Sequence, residues 1–294
     1  MKYAWIKSNK DSFPITAMCR VLGVSKSGYY KSIDCLPSLR AQRTDRIRLA
    51  VKQVHHDSHQ IYGSHKIAKQ LKQTPNLESA CRKTVAKAMR EMGLKSCVSK
   101  KFTPTTTQAD SSKTPAPNVL NQVFTAEAPN KKWVTDITYL STAAGWVYLA
   151  VVLDLFSRKV VSWSISESLS TPLVSVALRR AFESRCPVPG ELLHHSDRGC
   201  QYTSHEYQET LQTLGITCSM SRRGCCYDNA VMERFFWSLK QEWTNHESFA
   251  DINEARLSVF RYIETFYNSR RIHQTLGYQT PNDFEETHQV SLAT

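Results

Sequence analysis

The strongest periodicity in the chain lies in Asp228–Lys240, where Val231, Phe235 and Leu239 recur every fourth residue and Trp243 continues the series. No Gly or Pro interrupts it, so the spacing predicts a helix, with Asp228 or Asn229 able to cap its start. At about 100° per residue, Val231, Met232, Phe235, Phe236, Leu239 and Trp243 fall within an arc of roughly 140°. Glu233 and Lys240 fall opposite that arc and about 20° from each other. A helix that buries its apolar arc therefore aims both at whatever lies beyond. Two apolar runs predict strands nearby: Glu191–His195, which leads to Asp197, and Trp133–Leu140, which contains Asp136.

The surrounding pattern predicts strands Lys132–Ser141 and Trp146–Asp154, separated by Thr142-Ala143-Ala144-Gly145, a hairpin signal. A third strand, Lys159–Ile165, is followed by helix Thr171–Ser184 with Pro172 in its first turn. Strand Glu191–His195, helix Ser204–Leu214 and strand Ile216–Met220 lead to the Glu233 helix. Strands first and alternating elements afterwards define a mixed α/β class.

The upstream part reads as all helical. Ile15–Leu22 is amphipathic, Gly23 breaks it, and Ser25 can cap a second helix carrying Lys26, Tyr29, Tyr30 and Lys31. This is a helix-turn-helix pattern over residues 12–33, with its second helix the candidate groove reader; a plain packing corner is the alternative. Helices Arg43–His56, Ser64–Gln73 and Ser79–Glu91 follow. The last carries Arg82, Lys83, Lys87 and Arg90 around Val85, Ala88, Met89 and Met92, and stops at Gly93. A solvated basic helix pair is the alternative to a DNA-binding module there. Residues 99–128 are rich in Thr, Ser and Pro and read as a linker with an extended middle. The expected organisation is a helix-turn-helix over 1–40, a second helical module over 41–98, the linker, a catalytic core with a helical extension over 129–287, and a tail over 288–294.

Charge sharpens this division. The 294 residues carry a net charge of +12, and 41% are hydrophobic, enough for real cores. Residues 1–120 hold 22 Lys and Arg against 7 Asp and Glu; the rest hold 16 against 19. The basic half is the candidate nucleic-acid grip, because Lys and Arg that neutralise phosphates supply most sequence-independent affinity. No apolar run approaches the ~20 residues of a membrane span. The first residues lack the apolar stretch of a secretory signal. Nine cysteines without a Cys-x-x-Cys argue for a reducing cytosol and against a disulfide framework or zinc site.

Asp136, Asp197 and Glu233 bring three carboxylates to two strands and a helix. Such a trio can hold two Mg²⁺ ions about 3.5–4 Å apart, which clamp the attacking and leaving oxygens of an in-line phosphoryl displacement. Sixty residues separate the two Asp, 35 separate Asp197 from Glu233, and Lys240 follows the Glu by seven. This spacing resembles the DDE signature of transposases and retroviral integrases. WVTDITYL, GWVYLAVVLDLFSRKVV, HHSDRGCQYTS, MSRRGCCYDNAVMERFFWSLKQEW and YNSRRIHQTLGYQTP resemble the OrfB transposase of the bacterial insertion-sequence-three family. They cover essentially all of residues 130–285.

The resemblance implies a ribonuclease-H-like, retroviral-integrase-type core preceded by helical DNA-binding modules. It implies metal-dependent DNA strand cleavage and strand transfer at insertion-sequence ends. Water and then the freed 3′-OH would attack a phosphodiester, with two Mg²⁺ ions as cofactor and Mn²⁺ able to substitute. The implied partners are terminal inverted repeats, target DNA and further copies of the chain on DNA, in the bacterial cytoplasm at the nucleoid. An upstream helix-turn-helix and leucine-zipper protein, fused or separate, is also implied. With no sustained heptad pattern of its own, the chain is expected to be the downstream product or the downstream part of a longer enzyme. One departure stands out: Gly224 to Asn229 read Gly-Cys-Cys-Tyr-Asp-Asn where family members often have Gly-Asn-Cys-Trp-Asp-Asn. It affects a loop and no ligand.

Other positions complete the candidate site. Lys240, two turns or about 10.5 Å from Glu233, suits a grip on DNA beside the scissile phosphate. Arg198, Arg222 and Arg223 are candidate DNA contacts, the last two as a phosphate clamp or a solvated loop. Arg271 and His273 lie in the last matching word and serve either as DNA contacts or as bracing. Asp154 ends a strand and is read as a turn residue; His194 and His195 are read as packing or substrate contacts, not metal ligands. Two rival functions remain: a catalytically silent DNA-end-binding regulator, which the intact acids argue against, and a ribonuclease-H-type nuclease, which the basic helical modules argue against.

Overall fold

The computed structural model describes residues 2–34, 38–97 and 115–293. The N-terminal unit is a trio, α1 (Lys2–Ser8), α2 (Ile15–Val21) and α3 (Lys26–Asp34), closed around Ile6, Met18, Cys19 and Tyr29. Gly23, at φ +59°, makes the turn between α2 and α3 as its place in the sequence suggests. α1 completes a core that two helices alone leave open.

The second unit comprises α4 (Leu39–Asp57), α5 (Ser64–Leu71) and α6 (Arg82–Glu91). α4 begins before the expected Arg43 because Ser38 caps it, accepting the Ala41 N–H at 3.2 Å. α6 begins after the expected Ser79, whose hydroxyl instead accepts from Arg43. This unit is not a separate bead: Ile47, Val51, Ile67, Leu71 and Val85 share one continuous core with residues of the sheet domain. The buried Tyr62 hydroxyl donates to the Arg270 carbonyl and accepts the Ile272 N–H, both at 2.9 Å. The His59 ring stands edge-on to Trp243 and Phe266.

The sheet has the order β3-β2-β1-β4-β5. β1 (Lys132–Thr142), β2 (Gly145–Asp154) and β3 (Val160–Ser166) form an antiparallel meander. α7 (Thr171–Arg185) crosses to β4 (Leu193–Ser196), which lies parallel to β1 over Lys132–Val134. α8 (His205–Thr213) then leads to β5 (Thr217–Met220), parallel to β4. β4 starts later than expected because Glu191 is spent in a turn, its N–H bonded to the Val188 carbonyl. One face of the sheet packs on α7 and α8 through Trp133, Ala150, Val152, Leu178 and Tyr207. The other receives α9 (Ala230–Glu242) and α10 (Ile252–Phe260), the latter continued by a π-helical turn, Arg261–Tyr267.

Two expected boundaries move. Residues 99–114 of the expected linker, and residue 98 before them, lie outside the described residues, but 115–128 pack against the core. Leu120 is buried, Val119 and Leu120 donate their N–H groups to Ser219 Oγ, and Asn118 and Gln122 bind the buried Asp228. The expected tail continues α11 (Pro281–Ala293). Its buried Glu285 is tied to Ser157, Lys159 and Arg185, which fastens the helix to the end of the sheet.

Tyr62→Phe is expected to destabilise the chain by about 1–3 kcal/mol, because it leaves two backbone groups at the helical-unit junction unpaired. A shift of the urea midpoint at unchanged slope measures it.

Candidate active site

The sheet register brings the first two acids together. Val134 pairs with His195 in the parallel β1–β4 ladder. Continuing by two residues sets Asp136 opposite Asp197 where the strands stop pairing, on the same side of the pleat. Asp136 Oδ1 accepts the Ile137 N–H at 2.8 Å, and Asp197 Oδ1 accepts the Gly199 N–H at 2.9 Å. A Cβ on Gly199 would stand 3.0 Å from that Asp197 oxygen, so glycine lets the loop close this tightly. Beneath the loop, His195 bridges Ser219 and Ser221, while His194 meets the Tyr207 hydroxyl on the opposite face. Burial lowers their pKa values to about 4 and about 3, so both are neutral packing groups, as their sequence context suggested.

The third acid arrives on α9, whose Met232, Phe235, Phe236 and Leu239 are buried as the periodicity predicted. Asn229 occupies the N-cap position, as expected, but its side chain makes no capping hydrogen bond; its amide donates to the Thr135 carbonyl at 3.1 Å and pins the start of α9 beside Asp136. Asp228 is likewise occupied, since Arg222 embraces it with Nε and Nη2 at 3.0 and 2.8 Å. Glu233 therefore projects from a helix held at both its start and its apolar face.

Electrostatics report the crowding. Burial, then the charge of Asp197, then that of Glu233, hold the Asp136 carboxyl well above the usual carboxylate range, against the Ile137 N–H and Lys240. Burial also raises Glu233, and it lowers Lys240 against the pull of Asp136. Among the described residues no group of three or more His, Cys, Asp or Glu side chains is placed to hold a metal ion. The donor set fits a hard divalent cation nonetheless: Mg²⁺ takes one or two carboxylates and completes its shell with water and substrate oxygens. A cation beside Asp136 would relieve the repulsion that disfavours its ionisation.

Several candidate DNA contacts are placed otherwise. Arg271 is 7% exposed and makes a two-pronged pair with Glu242, through Nε at 2.7 Å and Nη2 at 2.6 Å. Burial opposes the charges, but the pairing holds Glu242 below its ordinary pKa and Arg271 above its own. His273 packs against the Tyr267 ring and is held neutral by burial and Arg271. Arg271 braces α9 through Glu242, and His273, half-buried, packs beside it. Tyr29 is 1% exposed and belongs to the α1–α3 core, leaving Lys26, Tyr30 and Lys31 on the surface of α3. Arg82, Lys83 and Lys87 are exposed on α6, and Arg223 is exposed in the loop between β5 and α9. Arg222 serves Asp228, and Arg198 donates to the Ser221 carbonyl at 2.6 Å, which ties the Asp197 loop to β5. Asp154 is fully buried and accepts the Phe156 and Asn130 N–H groups, a turn-closing role away from the acids. The sequence places Asn229 at the helix start but gives no signal for the Thr135 carbonyl that its side chain binds.

A central strand carrying one acid, a parallel neighbour ending in a second and a helix laid across them with a third define a ribonuclease-H-like core of the integrase type. The integrase core domain matches residues 126–226 and 214–281, and an HTH-like domain matches residues 42–102. The chain is 40% identical over 293 residues to transposase InsF for insertion sequence IS3A of Escherichia coli (strain K12), covering 97% of this chain and 98% of that protein. It is 38% identical over 275 residues to the insertion element IS600 uncharacterized 31 kDa protein of Shigella sonnei, covering 93% of this chain and all of that one. The chain belongs to the family of insertion-sequence transposases. Among solved structures, the HTLV-2 integrase catalytic core domain in complex with magnesium (trimeric form) is 18% identical with a TM-score of 0.43, covering 54% of this chain and 99% of that one.

Arg271→Ala is expected to destabilise the fold by about 3–5 kcal/mol by leaving Glu242 buried and unpaired. The DNA affinity of the folded fraction should be unchanged. Thermal unfolding and binding isotherms below the transition separate the two effects.

Proposed function

We propose that the chain cleaves and transfers DNA strands at insertion-sequence ends, with Asp136, Asp197 and Glu233 as its catalytic carboxylates. The juxtaposition of Asp136 and Asp197 at the end of the β1–β4 pairing, with Glu233 close enough to disfavour ionisation of Asp136, carries this reading. The three carboxylates would hold Mg²⁺, two ions in the full site, or Mn²⁺ in its place. When bound, such ions activate the attacking oxygen and stabilise the leaving one in an in-line phosphoryl displacement.

The protein's own residues position and neutralise. Asn229 fixes α9 against β1, so Glu233 faces the strand acids without an adjustment at the moment of reaction. Lys240 supplies positive charge near Asp136, where a phosphate would otherwise meet only carboxylates. Preorganised electrostatics of this kind need no covalent enzyme intermediate. The exposed cations of α3 and α6 grip phosphates farther from the reacting bond. The partners are terminal and target DNA, further copies of the chain, and an upstream helix-turn-helix and leucine-zipper protein, acting in the bacterial cytoplasm at the nucleoid. Among the described residues no helix is long and apolar enough to cross a membrane.

Replacing Asp136, Asp197 or Glu233 singly by Ala should lower cleavage of end-containing duplexes in Mg²⁺ by at least about a hundredfold, the scale set by losing one electrostatic contact to the transition state. DNA binding should persist. Full cleavage by Glu233→Ala would sink the assignment. Replacing Arg82, Lys83 and Lys87 together by Ala should flatten the dependence of log K on log salt by about 0.9 for each phosphate contact removed. An unchanged slope in a salt titration would make α6 a solvated face.

A further inference from the structure

The junction between α5 and α9 gathers more positive charge than its carboxylate balances. Both oxygens of Glu242 accept from Arg271, and one also accepts the Tyr262 hydroxyl at 3.0 Å, so that acid is fully engaged. Lys66, from the first turn of α5, stands half-buried beside this pair without joining it. Its Nζ lies 4.8 Å from the centre of the Tyr62 ring, and the Tyr62 hydroxyl bonds the backbone next to Arg271. Among the described residues no carboxylate lies within ion-pair distance of Lys66. Burial, then Arg271, push its ammonium down to about 7 against the pull of Glu242, and Arg234 adds to them. The same excess reaches His273, which burial, Arg271 and then Lys66 keep uncharged. Arg234 comes to the junction from α9. It is exposed, its guanidinium is 4.3 Å from the centre of the Trp237 ring, and it has no carboxylate partner among the described residues. It follows Glu233 directly and precedes by one turn Ser238, whose hydroxyl meets Arg271 Nη2 at 3.4 Å. Arg234 therefore occupies the strip of α9 between the third acid and the buried ion pair.

We propose that Lys66 and Arg234 close on one backbone phosphate of the bound DNA, a clamp between the helical unit and the catalytic core a short way along the strand from the reacting bond. The inference rests on the transposase reading above and deepens it, because it assigns a phosphate-binding site to the seam between the two units. A phosphate there supplies the negative charge that Glu242 has already given to Arg271, and beside it Lys66 regains its full charge. The two sides of the clamp come from different units: Lys66 from the helices, Arg234 from the helix that carries Glu233. Because those units share one packed frame, a phosphate held at their seam fixes a length of DNA. It sets how many nucleotides separate the sequence read by the helices from the bond brought to the acids. The cations of α6 grip phosphates without setting that distance. Lys66 and Arg234 touch DNA away from the reacting atoms and move no proton in the reaction.

The test uses the full chain without divalent metal and fluorescein-labelled duplexes carrying the terminal repeat of its insertion sequence. One duplex is unmodified, and each of the others has a single phosphate replaced by an uncharged methylphosphonate. Lys66→Gln should weaken binding of the unmodified duplex by about tenfold, the scale of one charge-assisted hydrogen bond. At one position, or two adjacent ones, the methylphosphonate should weaken the unsubstituted chain by a similar factor and cost Lys66→Gln nothing more. Arg234→Gln should be insensitive at the same position, and Lys66→Arg should keep most of the affinity. Unchanged circular dichroism and melting temperature would show that the junction is intact. Arg234 is exposed, so its variant tests the clamp even if Lys66→Gln does not fold. Losses that add at every position would overturn the clamp and make Lys66 a brace for Tyr62, while triad-dependent cleavage still supported the transposase reading. So would insensitivity of the two variants at phosphates far apart on the duplex, since no single phosphate would then join them. If the unsubstituted chain bound no duplex, the clamp and the reading beneath it would fall together.

Discussion

Asp136 and Asp197 face each other where β1 and β4 cease to pair, and packing beneath them must hold two like charges closer than water would leave them. Trp133 and Val134 are wholly buried on opposite faces of β1, and His194 and His195 are buried on opposite faces of β4. These layers keep the strands in register up to the residue before divergence. Opening the site to relieve repulsion would break that packing and the bonds of His195 to Ser219 and Ser221. The strain stays in the carboxyl of Asp136, whose ionisation is disfavoured until a cation arrives.

The rest of the chain is arranged to keep α9 against this pair. Asn229 fastens its first turn to Thr135. Its apolar side lies on the sheet, and its last turn holds Arg271 through Glu242. That ion pair costs desolvation, and a buried pair is weak evidence of stability by itself. Its geometric effect is more specific: it links α9 to the segment after the π-helical turn, which in turn binds Tyr62 of the helical unit. The basic α4–α6 unit and the acidic site thereby share one packed frame, so cations on α6 and carboxylates on β1 keep a defined relation. Residues 115–124, laid along β5 and latched to Asp228, add a second tie to the loop that precedes α9.

Much of this was legible in order along the chain. Helical periodicity placed Glu233 and Lys240 on one face of α9, and the apolar runs around Asp136 and Asp197 marked the strands, because local burial patterns repeat at the period of the element that makes them. The charge split between the halves and the helix-turn-helix at Gly23 were equally local properties. Spacing of the three acids and the words around them carried the resemblance to a transposase family, and relatives of nearly full length agree with it.

Only the tertiary structure decided which of these polar residues are tied to other parts of the protein. Arg271 and His273 have the composition of a DNA-contacting word, yet Glu242, from an element 29 residues earlier, claims the guanidinium. Tyr29 reads as a groove contact until α1 covers it, and Asn229 holds the cap position while its side chain turns instead to the Thr135 carbonyl. Proline, serine and threonine in residues 99–128 suggest a linker, but Ser219 and Asp228 supply hydrogen bonds that order residues 118–122. In each case the deciding partner is distant in sequence. Periodicity can tell a residue which way to point within its own element; it cannot tell which group from another element will be waiting there.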